Sequence, residues 1–142
     1  MKHILILSLT FCVFACSLKA QHDPPPLSVD FITKIPPQID GCSGLYTYDT
    51  TSMKKKKYII VTDLQELGFI KIMGKEIKLK VSSKKELSAT TFRTVFIGEG
   101  YIITLTTKTG KQIDEVSIET GTLEIIKGSQ KITLKVYGEA GC

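Results

Sequence analysis

Few side chains in this sequence could perform catalysis. Its two histidines are His3 and His22, so the long remainder of the chain contains none. A Ser-His-Asp or Cys-His hydrolase needs a histidine as general base, and zinc sites draw mainly on histidine and cysteine. The sequence therefore predicts no metal site and no cofactor, and it predicts that the protein is not an enzyme.

Two segments match the S-x-x-K signature of serine acylases, in which a lysine one helical turn later activates the serine. They begin at Ser52 and Ser82. The signature requires a helix, whereas these segments are predicted as loop and strand, so we interpret both matches as chance. The neighbouring carboxylates Asp114 and Glu115 would point to opposite faces of a strand, which argues against a shared metal or proton.

Two further groups are candidates for binding. Lys54, Lys55, Lys56 and Lys57 form a run of like charge that belongs on a solvated turn, or that contacts an anionic envelope polymer or lipid headgroups. Tyr46 and Tyr48 share one face of a predicted strand, where they either cover a core edge or form an exposed binding patch.

The first twenty residues are typical of a secretory signal. A short positive start precedes an apolar run that Lys19 ends, and this run is shorter than the about 20 residues of a membrane span. Cleavage after Ala20 predicts a secreted or periplasmic protein. Alternatively, residues 13–16 resemble a lipobox, and lipidation at Cys16 would anchor the protein to a bacterial membrane.

Export changes the expected state of the remaining cysteines, Cys42 and Cys142. Outside the cytosol thiols tend to be oxidised, and two cysteines allow one intramolecular pairing. We therefore predict a disulfide between them. The net charge of +5 falls once a basic leader is removed, so it does not indicate nucleic-acid binding.

The rest of the chain predicts an extended lead followed by a single β domain. All five prolines lie in residues 21–40, which should run extended across a surface or act as a linker, with residues 29–35 apolar enough to lie against the body. Residues 41–142 show period-two alternation with turn residues between the segments. They predict an all-β antiparallel meander of eight or nine strands, curled into a small barrel or sandwich. The predicted strands are 44–48, 58–62, 68–73, 75–81, 91–97, 101–107, 115–119, 122–127 and 131–136. Turns are predicted between them, among others at residues 109–111 and at Gly121, and residues 82–88 are predicted as a polar loop or short helix.

Residues 40–49 (DGCSGLYTYD) and 137–142 (YGEAGC) resemble the corresponding segments of small, uncharacterised secreted proteins of Bacteroidetes-type bacteria that end in a G-E-x-G-C motif. Residues 58–61 (YIIV) and 72–75 (IMGK) are similar as well. The resemblance spans about residues 40–142. It implies export and a disulfide between the two ends, and it implies no activity, ligand or catalytic residue.

The sequence thus favours an exported envelope protein that is a non-enzymatic binding module for an envelope protein, a glycan or a small apolar ligand. The alternative is a purely structural or adaptor protein, and a histidine-free hydrolase is the remaining class. Contact with a membrane is expected only if Cys16 is lipidated. An internal apolar cavity of about 300 Å³ or more, or an exposed aromatic patch, would favour the binding module.

Overall fold

The computed structural model describes residues 23–142 and confirms an all-β antiparallel fold. The leader predicted at residues 1–20, with Cys16, lies outside the described residues. Nine strands and one short helix occur within residues 23–142: β1 (Val29–Asp30), β2 (Ser43–Thr47), α1 (Thr50–Lys54), β3 (Ile60–Thr62), β4 (Leu67–Ile72), β5 (Lys75–Ser88), β6 (Thr91–Gly98), β7 (Tyr101–Ile113), β8 (Val116–Lys127) and β9 (Gln130–Gly141).

Eight of these strands close into a barrel. Each strand from β2 to β9 pairs antiparallel with its neighbours in the order β4-β3-β2-β9-β8-β7-β6-β5, and β5 pairs again with β4. Closure removes the open sheet edges that a flat meander would expose. The short β1 pairs with the end of β4, beyond β3, and lies outside the ring.

Tight turns with left-handed backbone set the hairpins. Met73 and Gly74 join β4 to β5, and Glu99 and Gly100 join β6 to β7, with positive φ at all four residues. Two consecutive residues of positive φ are typical of the hairpin turn whose twist matches that of the flanking strands. These turns fix the register of both hairpins.

The barrel wall carries apolar side chains on both faces over a portion of its circumference. The interior is filled mainly by branched aliphatic residues of β3 to β9, with Phe96 among them. A second cluster covers the outside of the wall formed by β2, β3 and β4; it contains Ile32, Met53, Tyr58, Val61 and Phe69. The helix α1 contributes Met53 to this outer cluster.

Residues 23–40 form no helix, include the short strand β1 and lie against the barrel. Ile32 is buried and bridges to Tyr58 through two backbone hydrogen bonds of 2.7 and 3.0 Å. Gln130 donates from its side-chain amide to the carbonyl of Pro25 at 2.8 Å. Residues 29–35 therefore lie against the body through Ile32.

Cys42 and Cys142 form the predicted disulfide, with their Cα atoms 4.0 Å apart. Ser43 and Gly141, one residue inward from each cysteine, are paired between β2 and β9. The bond thus joins the first and last strands of the barrel at one end.

Several predicted boundaries are wrong. Residues 82–88, predicted as a polar loop or short helix, belong to β5 and pair with β6. Their side chains are exposed on both faces, so the sequence shows no apolar alternation there, although strand pairing does not require burial. The turns predicted at residues 109–111 and at Gly121 lie within β7 and β8, so 115–119 and 122–127 form one strand. A Cβ at Gly121 would lie 1.9 Å from the carbonyl oxygen of Thr106, so this glycine permits close strand contact.

The segment around Ser52, predicted as a loop, forms the helix α1. It begins after Asp49, whose side chain accepts a hydrogen bond from the Ser52 amide at 2.7 Å. This bond caps the helix and lowers the pKa of the Asp49 carboxyl. Among residues 23–142, no helix is long and apolar enough to cross a membrane.

Candidate functional site

A cavity of about 190 Å³ lies at one end of the barrel interior. It is smaller than the 300 Å³ that the sequence interpretation set for a binding module, so size alone does not favour that function. The chemistry of its wall is more informative, because it combines aromatic rings, hydroxyl groups and one buried carboxylate. The residues that carry these groups are Tyr46, Thr62, Phe92, Thr94, Phe96, Thr107 and Glu119.

The buried carboxylate belongs to Glu119 on β8, which is only 8% exposed. Tyr46 donates its hydroxyl hydrogen to Glu119 Oε2 at 2.8 Å, and Thr109 donates to Oε1 at 3.5 Å. Sheet register explains this meeting: Tyr46 is opposite Gly138, Gly138 is opposite Glu119, and Glu119 is opposite Thr109. Four adjacent strands therefore place these residues in one row across the inner wall.

Gly138 is what allows the tyrosine to reach the glutamate. A Cβ at this position would lie 2.1 Å from Cδ1 of Tyr46, so any side chain larger than hydrogen would displace the ring. Gly44, located two residues before Tyr46, has the same function, since a Cβ there would lie 2.8 Å from Cε2 of the ring. Because neither glycine has a side chain, the Tyr46 ring can pack directly against the backbone of the barrel wall.

Burial raises the pKa of the Tyr46 hydroxyl well above its usual range, and the negative charge of Glu119 and the hydrogen bond between them raise it further. The folded protein thus strongly favours the protonated phenol. As the pH rises, Tyr46 loses its proton in the unfolded chain before it does so in the folded protein. The contribution of this buried phenol to the free energy of unfolding is therefore fully present below the ordinary tyrosine pKa of about 10 and is lost as the pH rises above it.

Replacing Tyr46 with phenylalanine tests this coupling. We expect Tyr46→Phe to lower the free energy of unfolding at neutral pH by about 2 kcal/mol, because Glu119 loses a buried donor. We also expect its alkaline loss of stability to be shallower than that of the parent protein. Urea unfolding at a series of pH values between about 7 and 10.5 measures both effects. Tyr101→Phe is the control, and an equal alkaline slope for Tyr46→Phe and the parent would contradict the assignment.

The loop between β3 and β4 forms one side of the cavity mouth. Asp63 Oδ1 accepts hydrogen bonds from the amides of Gln65, Glu66 and Leu67 at 2.8 to 2.9 Å. Burial by itself would raise the pKa of the Asp63 carboxyl, but these amides outweigh it and leave the pKa lowered. Lys84 of β5 donates from Nζ to the carbonyl of Leu64, which fastens the loop to the strand next to β4.

The structure separates the two tyrosines predicted as an exposed patch. Tyr46 is 3% exposed and lies inside the barrel, whereas Tyr48 follows the end of β2 and is 37% exposed. The Tyr48 ring stacks edge-on against Phe31 with centroids 5.7 Å apart. Of the two alternatives, the exposed patch is wrong because only Tyr48 is on the surface, whereas Tyr46 belongs to the core.

The lysine run lies on the outer side of the barrel. Lys54 ends α1, the next three residues form the turn that follows, and all four side chains are exposed. Lys57 Nζ lies 5.4 Å from the centroid of the Phe31 ring. The run is therefore a solvated turn remote from the cavity, and its contact with an anionic surface stays a prediction.

Glu119 was missed by the sequence interpretation although a signal for it exists. Leu123 and Ile125 face the barrel interior. Because alternate residues of a strand share a face, Gly121 and Glu119 face the interior as well. A carboxylate in the apolar phase of a strand indicates a buried polar site. The predicted turn at Gly121 divided β8 into two strands, so the alternation of Glu119 with Leu123 and Ile125 was not recognised.

Among residues 23–142, no three histidine, cysteine, aspartate or glutamate side chains converge to hold a metal ion. Comparison of the chain with models of protein families, with curated proteins and with solved structures finds no match. The interpretation of the cavity therefore depends on its own geometry.

Proposed function

We propose that this chain is a non-enzymatic binding module of the bacterial envelope that takes a small ligand in the end of its barrel. The observation that carries the proposal is that the buried carboxylate of Glu119 lines a cavity whose walls include aromatic rings. Apolar walls with a few convergent polar groups are typical of small-molecule sites. The proposal includes the absence of catalysis, because the chain after His22 offers no histidine to act as a general base.

Two features support a location outside the cytoplasm. The Cys42–Cys142 disulfide is compatible with an oxidising extracellular or periplasmic compartment. The sequence of residues 1–20 is typical of a secretory signal, and the resemblance of residues 40–142 to secreted bacterial proteins agrees with it. Lipid anchoring through Cys16 is the alternative form of the same proposal.

The volume of the cavity limits the ligand. An apolar cavity of about 150 Å³ in another protein accommodates benzene, so 190 Å³ suits one ring with a short substituent. Ligands that need about 300 Å³ or more exceed it. Among the classes predicted from the sequence, a small ligand therefore fits this site better than a glycan chain or a protein segment.

Titration of the oxidised, ¹⁵N-labelled protein with benzyl alcohol tests the proposal. We expect saturable chemical-shift changes at residues facing the cavity, such as Thr62 and Thr107, with the outer cluster around Met53 and Tyr58 unaffected. Benzyl alcohol is chosen because it is neutral and of the required size.

Two matched variants control this titration. Thr94→Phe places a ring in the cavity and should abolish the shift changes. Thr104→Phe makes the same substitution on the outer face, between the buried Ile103 and Leu105, and should leave them intact. The proposal fails if neither benzyl alcohol nor a charged single-ring probe of the same size causes a saturable change, or if Thr94→Phe binds the probe as the parent does.

A further inference from the structure

The side chains around Glu119 give its carboxylate no cationic partner. Within the described residues the ion pairs are Lys75 with Glu99 and Lys131 with Glu124, and Glu119 belongs to neither. Its two observed donors are neutral hydroxyls, and the one from Thr109 is at 3.5 Å, the limit for a hydrogen bond. A carboxylate can accept about four hydrogen bonds. Glu119 therefore retains acceptor capacity and an unbalanced charge at the cavity wall.

We propose that the cavity binds an organic cation, an amine carried on a single-ring body, whose ammonium group pairs with Glu119. This inference rests on the proposed function and specifies its ligand class. Burying a carboxylate is costly unless it is paired, and a charged donor forms a stronger hydrogen bond than a neutral one. An ammonium ligand supplies both the positive charge and the additional donors.

The aromatic walls favour the same class. Tyr46, Phe92 and Phe96 line the cavity together with Glu119. The face of an aromatic ring attracts a cation, and sites for organic ammonium groups combine several such rings. An anionic ligand would instead meet the repulsion of a buried carboxylate that solvent screens only weakly.

Among the described residues, Lys84 is the cationic residue that lines this cavity together with Glu119. It is exposed, and its Nζ is engaged by the carbonyl of Leu64. Solvent screens an exposed charge far more than a buried one, so Glu119 dominates the potential inside the cavity.

Benzylamine and benzyl alcohol form a matched pair of probes, since they differ in one polar group and in charge. We expect the oxidised protein to bind benzylamine about tenfold more tightly than benzyl alcohol, as measured by shift titration. Glu119→Gln should remove this preference while retaining the binding of benzyl alcohol, which also shows that the variant is folded. Glu124→Gln, the same substitution on the outer face of β8, is the matched control and should leave the preference for benzylamine intact.

The outcomes separate this inference from the proposed function. Equal affinity for the two probes, or tighter binding of the anion phenylacetate, overturns the cation assignment and leaves a small-ligand site. Binding of neither probe overturns both. If Glu119→Gln does not fold, the ratio of the two affinities in the parent protein still decides, and a ratio near one contradicts the inference.

Discussion

Replacing both cysteines with serine, Cys42→Ser with Cys142→Ser, is expected to lower the free energy of unfolding by about 4 kcal/mol. The disulfide closes a loop of 100 residues that contains the whole barrel, so it restricts the unfolded chain strongly. It also joins β2 to β9 at the end of their pairing, where fraying would start. Total stabilities of such domains are about 5 to 15 kcal/mol, so the loss is a large fraction.

Urea unfolding of the double variant and of the parent, with and without a reductant, measures this effect. The reductant should destabilise the parent by a similar amount and should not change the double variant. Ser43→Ala, beside the disulfide on β2, serves as a control for local substitution. A loss below about 1 kcal/mol in the double variant would show that the bond does not stabilise the barrel as described.

The second large effect is expected from Gly138→Ala. The new methyl group would lie 2.1 Å from the Tyr46 ring, which the interior holds in place, so the ring must leave its position beside Glu119. Overpacking of this kind costs about 1 to 3 kcal/mol, and loss of the buried hydrogen bond adds to it. We expect a destabilisation of about 3 kcal/mol together with loss of ligand binding.

Gly110→Ala is the matched control, because this glycine also lies in a strand but its Cβ would be 3.4 Å from its nearest neighbour, the Ile118 carbonyl oxygen. Its effect should stay within about 0.5 kcal/mol. A double-mutant cycle with Tyr46→Ala completes the test. If the clash with the ring is the cause, Gly138→Ala should cost much less once the ring is absent, and strictly additive effects would refute this explanation.

The class of fold could be predicted because alternation in β5 and β9 is strong and the turns carry glycine. The nine predicted strands and the nine observed ones nevertheless differ. Residues 115–119 and 122–127 form a single strand across Gly121, whereas β1 arises in the proline-rich lead. A glycine in sequence indicates a turn as readily as a close approach between strands, and only tertiary structure distinguishes the two.

The disulfide could be predicted from cysteine number and compartment, but the cavity could not. The meeting of Tyr46 with Glu119 depends on the register of β2, β9 and β8, which sequence periodicity does not set. Gly138 lies between these two residues in the sheet, and only a glycine leaves room there for the Tyr46 ring. The sequence alone does not show that the ring lies over this position. From the sequence, Tyr46 could therefore be assigned only to a core edge or to an exposed patch, without its partner Glu119.

Intermolecular nuclear Overhauser effects between benzylamine and the oxidised protein test most directly whether the barrel end is a ligand site built on Glu119. We expect contacts from the ring protons of the ligand to Phe92, Phe96 and the Thr107 methyl group, with the aminomethyl protons nearest the side chains of Tyr46 and Glu119. Contacts confined to the outer cluster around Met53 and Tyr58, or an aminomethyl group directed toward solvent, would contradict it.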